Sequence, residues 1–408
     1  MYIERTLKQY FMEMSNFFPV MLLTGPRQVG KTTFLTHIAE PDREYVTLDD
    51  VLLCEFARTD PRGFLERYKP PLLIDEVQYA PELFRFIKIR VDEARRMESA
   101  RSAGMYWLTG SQQFHMMKDV TESLAGRIGI VDMLGLSMNE LKTRPSVPFL
   151  PDREFQCPRS DVDTPALFQQ IWQGSFPGVQ GCNMVQREAF YMSYLRTYLE
   201  RDVRALENIT DMDRFLRFIR SAAARTGQLL NYSDIARDAD VSVMTAKNWM
   251  SVLLATGLVY LLEPYSNNLT SRLVKTPKLY MLDTGLCAYL TQWSDVKVLE
   301  AGAMAGAFFE TWCFAEILKS YYHHGKSRPA LFFYRDRDMK EIDLLIEEAG
   351  TLYPVEFKKS SSPTVDDFHH VNVLERCKKP IGMGAIISMY PEVVQRLPNC
   401  RFIPAPLI

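Results

Sequence analysis

The stretch MLLTGPRQVGKTTFL places Gly25, Gly30, Lys31 and Thr32 in the spacing G-x-x-x-x-G-K-[ST], after an apolar run and before an apolar helix start. Glycines at these positions let a loop backbone wrap phosphates, while a helix N-terminus faces their charge. Lys31 is then expected to reach the β and γ phosphates, and Thr32 to ligate magnesium. The expected nucleotide contacts are Gly25, Pro26, Arg27, Gln28, Val29, Gly30, Lys31, Thr32 and Thr33. A second apolar run, PPLLIDEVQ, ends in Asp75 and Glu76. Asp75 is expected to orient the magnesium ion. Glu76, on the other side of an extended chain, is expected to act as general base on the attacking water. Two acids at a strand tip also suit plain solvation, but the phosphate loop upstream favours the chemical reading. A third run, MYWLTGSQQF, offers Thr109 or Ser111 as a hydrogen-bonding sensor of the γ-phosphate. Arg127, in SLAGRIGIVDML, is a candidate charge clamp on the transition state, in its own chain or across a subunit interface, with a surface ion pair as the alternative.

A separate group lies near the other end of the chain. Glu341-Ile342-Asp343 opens an apolar strand, and Glu356-Phe357-Lys358 ends the next, with Glu356 13 residues after Asp343. This is the order D…(D/E)-x-K of metal-dependent nucleases, and the spacing suits a hairpin. Residues two apart in a strand share a face, so Glu356 and Lys358 are expected to line one pocket that Asp343 enters from the neighbouring strand. Asp343 and Glu356 would hold magnesium, and Lys358 would position the water. Glu310, on AFFETWCFAEILK, resembles the additional acid on the first helix of such folds. The alternative is a sheet whose solvent face is decorated with acids and lysines. His323 and His324 lack matched metal-ligand partners and are expected at a solvent-facing helix end.

The elements that must position these groups follow from periodicity. From Pro19 to Glu140, short apolar runs alternate with helical stretches, the rhythm of a parallel sheet. Thr143 to Thr164 is rich in proline and charge and is expected to be a linker or exposed insertion. A helical region follows. Within it, NYSDIARDADVSVMTAKNWMSVLLATGLVYLLEPY suggests a helix-turn-helix with Ser242 as N-cap of its second helix and a wing at Leu258 to Leu262. Ala246, Met250 and Leu253 share one face of that helix, leaving Thr245, Lys247 and Asn248 turned outward toward DNA. Arg217, Arg220, Arg225, Arg237, Arg272, Lys275 and Lys278 are candidate phosphate contacts, diluted by Asp234, Asp238 and Asp240. Beyond Lys275, strand signals return. The expected division is residues 1–142, 143–164, 165–275 and 276–408.

Composition narrows the classes. Hydrophobic residues make up 47% of the 408 and charged residues 24%, as in water-soluble globular proteins. Lys plus Arg number 48 against 50 for Asp plus Glu, so any nucleic-acid contact must come from local patches. Seven cysteines without a C-x-x-C pair give no zinc site or disulfide framework. With neither an apolar span nor a leader pattern, the expectation is a cytoplasmic protein without membrane partners.

The ordered segments GPRQVGKTT, VTLDD, LLIDEVQYAPELF, LTGSQQF, LAGR, IWQGSFPG, TPKLYMLDTGL, FFETW, FYRDRDMKEIDLLI and VEFKKS resemble bacterial and archaeal AAA-type ATPases whose amino-terminal AAA domain precedes a region of unknown function. The resemblance implies a P-loop NTPase domain and a restriction-endonuclease-like α/β carboxy-terminal domain, which with the winged-helix middle read from the residues gives an α/β fold class. It also implies ATP and Mg2+ as cofactors, and ring assembly as an option for a homo-oligomer. The expected function is ATP hydrolysis coupled to DNA binding and metal-dependent DNA cleavage. The alternative is a regulatory ATPase whose carboxy-terminal domain binds a protein partner or DNA without cutting.

Overall fold

The run Val20–Thr24 becomes strand β1, buried along its whole length. In this computed structural model the described residues are 2–97, 102–110, 123–155, 157–198, 211–266, 276–336 and 338–408. β1 lies inside a five-stranded sheet with β2 (Glu44–Thr47), β3 (Leu72–Asp75), β4 (Tyr106–Thr109) and β5 (Ile128–Asp132), in the order β2-β3-β4-β1-β5. All four pairings are parallel, which puts the carboxyl ends of the strands on one edge. Alternation sends Met21, Leu23 and Trp107 to one face, against Phe11 of α1 (Leu7–Ser15) and Phe34 of α2 (Lys31–Ile38). Val20, Leu22, Ile74 and Leu108 take the other face, against α3 (Val51–Thr59), α4 (Pro61–Arg67) and α5 (Leu83–Arg96). Asp50 and Asp60 cap α3 and α4 by accepting from the backbone N–H groups of the first turn.

A short helix, α6 (Met138–Leu141), closes this domain with a capping box between Ser137 and Glu140. The proline-rich segment that follows is a packed strap. Phe149 is fully buried, its N–H donating to Ser320 Oγ at 3.0 Å and its carbonyl accepting from the Tyr321 hydroxyl at 2.8 Å.

The middle region contains α7 (Thr164–Gln173), α8 (Met184–Tyr198), α9 (Met212–Ala223), α10 (Tyr232–Ala239) and α11 (Val243–Ala255). Ser242 Oγ accepts from the Thr245 N–H and starts α11, whose Ala246, Met250 and Leu253 are buried while Lys247 and Asn248 face solvent. The expected wing is β7 (Val259–Leu262), which pairs antiparallel with β8 (Lys278–Met281), and β8 pairs in turn with β6 (Gln228–Leu229). This corrects the expected boundary at residue 276. The apolar segment KLYM completes the three-stranded middle sheet, and α12 (Thr284–Leu290) and α13 (Val296–Ala301) follow it.

The last part starts with α14 (Ala305–Tyr322), 14 of whose 18 residues are buried, the mark of a helix enclosed on all sides. Its mixed sheet has the order β13-β14-β12-β11-β10-β9, from β9 (Leu331–Arg335), β10 (Glu341–Glu348), β11 (Thr351–Lys358), β12 (Gly384–Ser388), β13 (Val394–Leu397) and β14 (Cys400–Pro404). One apolar core runs from Trp107 through Ile219 and Met250 to Phe314 and Val355, so all three parts share an interior. Among the described residues no helix is long and apolar enough to cross a membrane.

Candidate functional site

The phosphate loop leaves β1 at the carboxyl edge of the parallel sheet. Gly25 has φ 139°, and a Cβ there would run into the backbone carbonyl of Met133, so only glycine fits. Gly30, at φ 93°, is the N-cap of α2. Lys31 is buried, and its ammonium donates to the carbonyls of Gly25 and Pro26 at 2.9 Å each. Thr32 Oγ1 donates to both carboxylate oxygens of Asp75, at 3.0 and 3.1 Å. A hydroxyl and a carboxylate side by side at the start of α2 are the donor set that octahedral magnesium takes from a protein, so the residues fit that ion. Pro26 is buried against Gly257, Val29 is buried, Arg27 is half-buried, and Gln28 and Thr33 are exposed.

Thr109, at the end of β4, donates to Asp75 Oδ1 and accepts from the Glu76 N–H at 3.3 Å. Glu76 departs from plain strand alternation: at φ 55° it turns the chain in the left-handed region as β3 ends. Burial raises its carboxyl pKa, the direction that suits a general base. Two partners escaped the sequence reading. Gln78 donates to Glu76 Oε2, and the Tyr45 hydroxyl donates to Asp75 Oδ2 at 3.1 Å. Gln78 was visible in the run LLIDEVQ, but Tyr45 is brought in only by the pairing of β2 with β3. Ser111 lies outside the described residues.

Arg127 is not at this site. Its carbonyl accepts from the Val20 N–H, so it stands at the amino end of β1, while the loop follows the carboxyl end. Five residues of strand put about 16 Å between them. Its guanidinium makes two hydrogen bonds to Asp92, at 2.7 and 3.0 Å, which corrects the clamp on its own chain's nucleotide to an ion pair with α5.

In the carboxy-terminal sheet, Glu310, Asp343, Glu356 and Lys358 do converge. β10 and β11 are antiparallel, and the Phe357 N–H donates to Asp343 Oδ2 at 3.0 Å. Lys358 Nζ lies 3.6 Å from Glu356 Oε2. Burial and the neighbouring Asp343 carboxylate push Glu356 up to about 10, and its Oε1 is buried without a hydrogen-bond partner among the described residues. An unexpected cation stands in the middle. Lys278 of β8, expected among the phosphate contacts, is buried with its Nζ 2.6 Å from Glu341, 3.1 Å from Glu310 and 3.6 Å from Asp343. Burial alone would lower its pKa, but Glu310, Asp343 and Glu341 outweigh burial and raise it. Glu310 also accepts from the Tyr280 hydroxyl at 2.7 Å, and burial with Asp343 nearby brings it to about 7. With the Lys278 ammonium standing among the Glu310, Glu341 and Asp343 carboxylates, this pocket as it stands does not fit magnesium.

The other expected phosphate contacts are also partly neutralised. Arg225 pairs with Asp238 at 2.6 Å and Arg237 with Asp234 at 3.0 Å, Arg217 and Arg220 are exposed, and Arg272 and Lys275 lie outside the described residues.

Residues 18–142 match the AAA domain family, while residues 164–297 and 305–408 match two domains of unknown function (DUF8612 and DUF4143). The amino-terminal part of the chain is thus an AAA-type P-loop ATPase domain. Uncharacterized proteins of Mycobacterium bovis and Mycobacterium tuberculosis are each 29% identical over 350 residues, covering 85% of this chain and 72% of theirs. Among solved structures, a Walker-type ATPase of Pyrococcus abyssi aligns over 70% of this chain and 94% of its own, at 14% identity and TM-score 0.42. Cdc6p from Pyrobaculum aerophilum aligns over 71% and 92%, at 12% identity and TM-score 0.27.

Several motif residues of this AAA protein are scaffolding. Asp283 accepts from Ser175 N–H and Oγ, the Tyr191 hydroxyl and the Leu286 N–H, tying GSFPG to LDTGL. Arg5 binds the AAA loop from behind, donating to the Val29 carbonyl at 3.0 Å and to Glu140 Oε1 at 3.1 Å. From α6, the Met138 N–H donates to Glu316 on α14 at 2.7 Å, and His323 at the end of α14 lies 3.4 Å from Glu140. His323 is buried and His324 half-buried, which corrects their expected solvent exposure: the strap and α6 cover the end of α14.

Proposed function

We propose that the AAA domain hydrolyses ATP with magnesium and that its nucleotide state is passed along α14 to the carboxy-terminal domain. The observation that carries the reading is the hydrogen bonding of Thr32 to both oxygens of Asp75, with half-buried Glu76 next to it. Thr32 and Asp75 would hold the ion, which supplies charge neutralisation on the phosphates. Lys31 would exchange the loop carbonyls for phosphate oxygens, and Thr109 would keep Asp75 and Glu76 in register through its hydroxyl. Glu76 would take the proton of the attacking water, its orientation set by Gln78.

Coupling is supported by one continuous path. The rear of the loop is bound by Arg5, Arg5 by Glu140, and α6 by Glu316, which stands six residues from Glu310 on the same helix. Six residues of helix span about 9 Å.

The test is steady-state phosphate release together with nucleotide binding. Lys31→Ala should abolish both. Glu76→Gln should keep binding within a few-fold while turnover falls about 10²–10⁴-fold. Undiminished turnover in Lys31→Ala would remove the assignment.

DNA contact is the second reading, favoured by the solvent-facing Lys247 and Asn248 on α11. Because Arg225 and Arg237 are paired with aspartates, such binding should be weak and should fall with few counterions released. A salt titration of duplex binding, wild type beside Lys247→Ala, tests it. Affinity independent of Lys247 would turn the reading toward a protein partner. The cutting reaction is not part of the proposal, since an ammonium group stands among the acids.

A further inference from the structure

The acids of the carboxy-terminal pocket outnumber the bases around them. Glu310 comes from α14, Glu341 and Asp343 from β10, and Glu356 from β11, while the cation nearest their centre comes from β8 of the middle sheet. Lys278 Nζ is within 3.1 Å of two of these carboxylates and 3.6 Å of a third. Its side chain is only 4% exposed. Unlike a surface ion pair, an ammonium this enclosed is held by its acids, and the acids by it. Next to Asp343, Glu356 Oε1 is buried with no hydrogen-bond partner among the described residues. The pocket is therefore filled by one positive charge, the Lys278 ammonium.

We propose that Lys278 is the resident cation of this pocket, a side chain from the middle domain that stands where a divalent metal ion would be held and keeps that ion out. The inference rests on reading Glu310, Asp343 and Glu356 as a cation site, the feature that the D…(D/E)-x-K spacing points to. It adds the control of that site. A divalent cation gains the pocket only when β8 carries Lys278 away from α14 and β10, so the middle domain decides whether the carboxylates are available.

The experiment is a calorimetric titration of the full chain with Mn2+ and no nucleotide. All proteins carry Asp75→Asn, which silences the phosphate-loop position. With Lys278 present, no saturable binding is expected. Lys278→Met should bind one Mn2+ per chain at least tenfold more tightly, raise its melting temperature on Mn2+ addition, and lose both effects when Glu356→Gln is added. If the Lys278 protein binds Mn2+ equally well through Glu356, the exclusion is overturned while the cation site stands. If neither folded protein binds, the cation site itself is overturned, and the exclusion with it. Should Lys278→Met fail to fold, Glu341→Gln removes the shortest lysine contact without touching Glu310, Asp343 or Glu356. It should tighten Mn2+ binding several-fold, and unchanged affinity there overturns the proposal.

Discussion

Lys31 is held by the loop it belongs to, donating to Gly25 and Pro26 within its own turn, whereas Lys278 is delivered from one sheet into acids carried by a helix and strand of another domain. The first arrangement needs one strand, one loop and one helix start, with a single carboxylate brought over by β3, which lies beyond β4 in the sheet. The second exists only if the middle sheet, α14 and the carboxy-terminal sheet are all docked. A site of the first kind is specified locally and should fail locally. The second kind reports on the arrangement of domains, and the contacts that hold those domains together should affect it.

The largest effect expected from a structural change at the first site comes from Gly25→Ala. The added methyl meets the Met133 carbonyl, and φ 139° is a conformation that side-chain-bearing residues rarely adopt. Stability should fall by about 2–4 kcal/mol, or the loop should shift and nucleotide affinity drop at least about tenfold. Melting curves with and without nucleotide separate the two, and a fully stable, fully binding variant would mean the loop is not built as described.

The interface between the regions predicts a pH effect. His323 is buried against Glu140, Arg5, Lys319 and His324, and burial lowers it from 6.5 to about 4. Between those values the unfolded chain binds more protons than the folded one, so this contribution to stability is complete above pH ~6.5 and is lost as pH falls toward 4. The loss is up to about 3 kcal/mol, at about 1.4 kcal/mol per pH unit. Glu140, held near 2 because the charges of His323 and Arg5 and backbone N–H groups outweigh its burial, loses its contribution only at lower pH. Urea midpoints between pH 7.5 and 5 should therefore fall in wild type and flatten in His323→Asn. Parallel slopes in the two proteins would place the pH dependence elsewhere.

What could be read from the residues divides along the same line. The phosphate loop, Asp75, Glu76 and Thr109 were legible because each sits at the end of a short apolar strand, and in a parallel sheet those ends gather on one edge. The convergence of Asp343, Glu356 and Lys358 was legible from strand alternation across a hairpin. Lys278 was not, because nothing local to TPKLYMLDTGL shows that β8 pairs with β6 and β7 and faces α14. His323 was misplaced for a related reason. A helix end followed by His-Gly-Lys looks solvated until the strap residues Phe149 and Ser146 are known to lie over it. The boundary at residue 276 failed because a strand signal does not say which sheet the strand joins.

Arg127 gives the smallest expected effect and the sharpest limit on the first site. Its partner Asp92 is on α5, and both side chains are partly exposed, at 24% and 31%. Exposed pairs contribute roughly 0–1 kcal/mol even when hydrogen-bonded, because water screens them and ordering two side chains costs entropy. Arg127→Ala should therefore lower stability by no more than about 1 kcal/mol. Since Arg127 stands at the amino ends of the strands and Lys31, Thr32 and Asp75 at the carboxyl ends, turnover per chain should stay within about twofold of wild type at every protein concentration, against the far larger losses of a missing clamp. Phosphate release measured across a dilution series checks this. A loss that appears only at high concentration would mean that the arginine reaches a neighbouring chain's nucleotide. The phosphate-loop site would then be completed from outside its own chain, as the carboxy-terminal pocket is completed from outside its own domain.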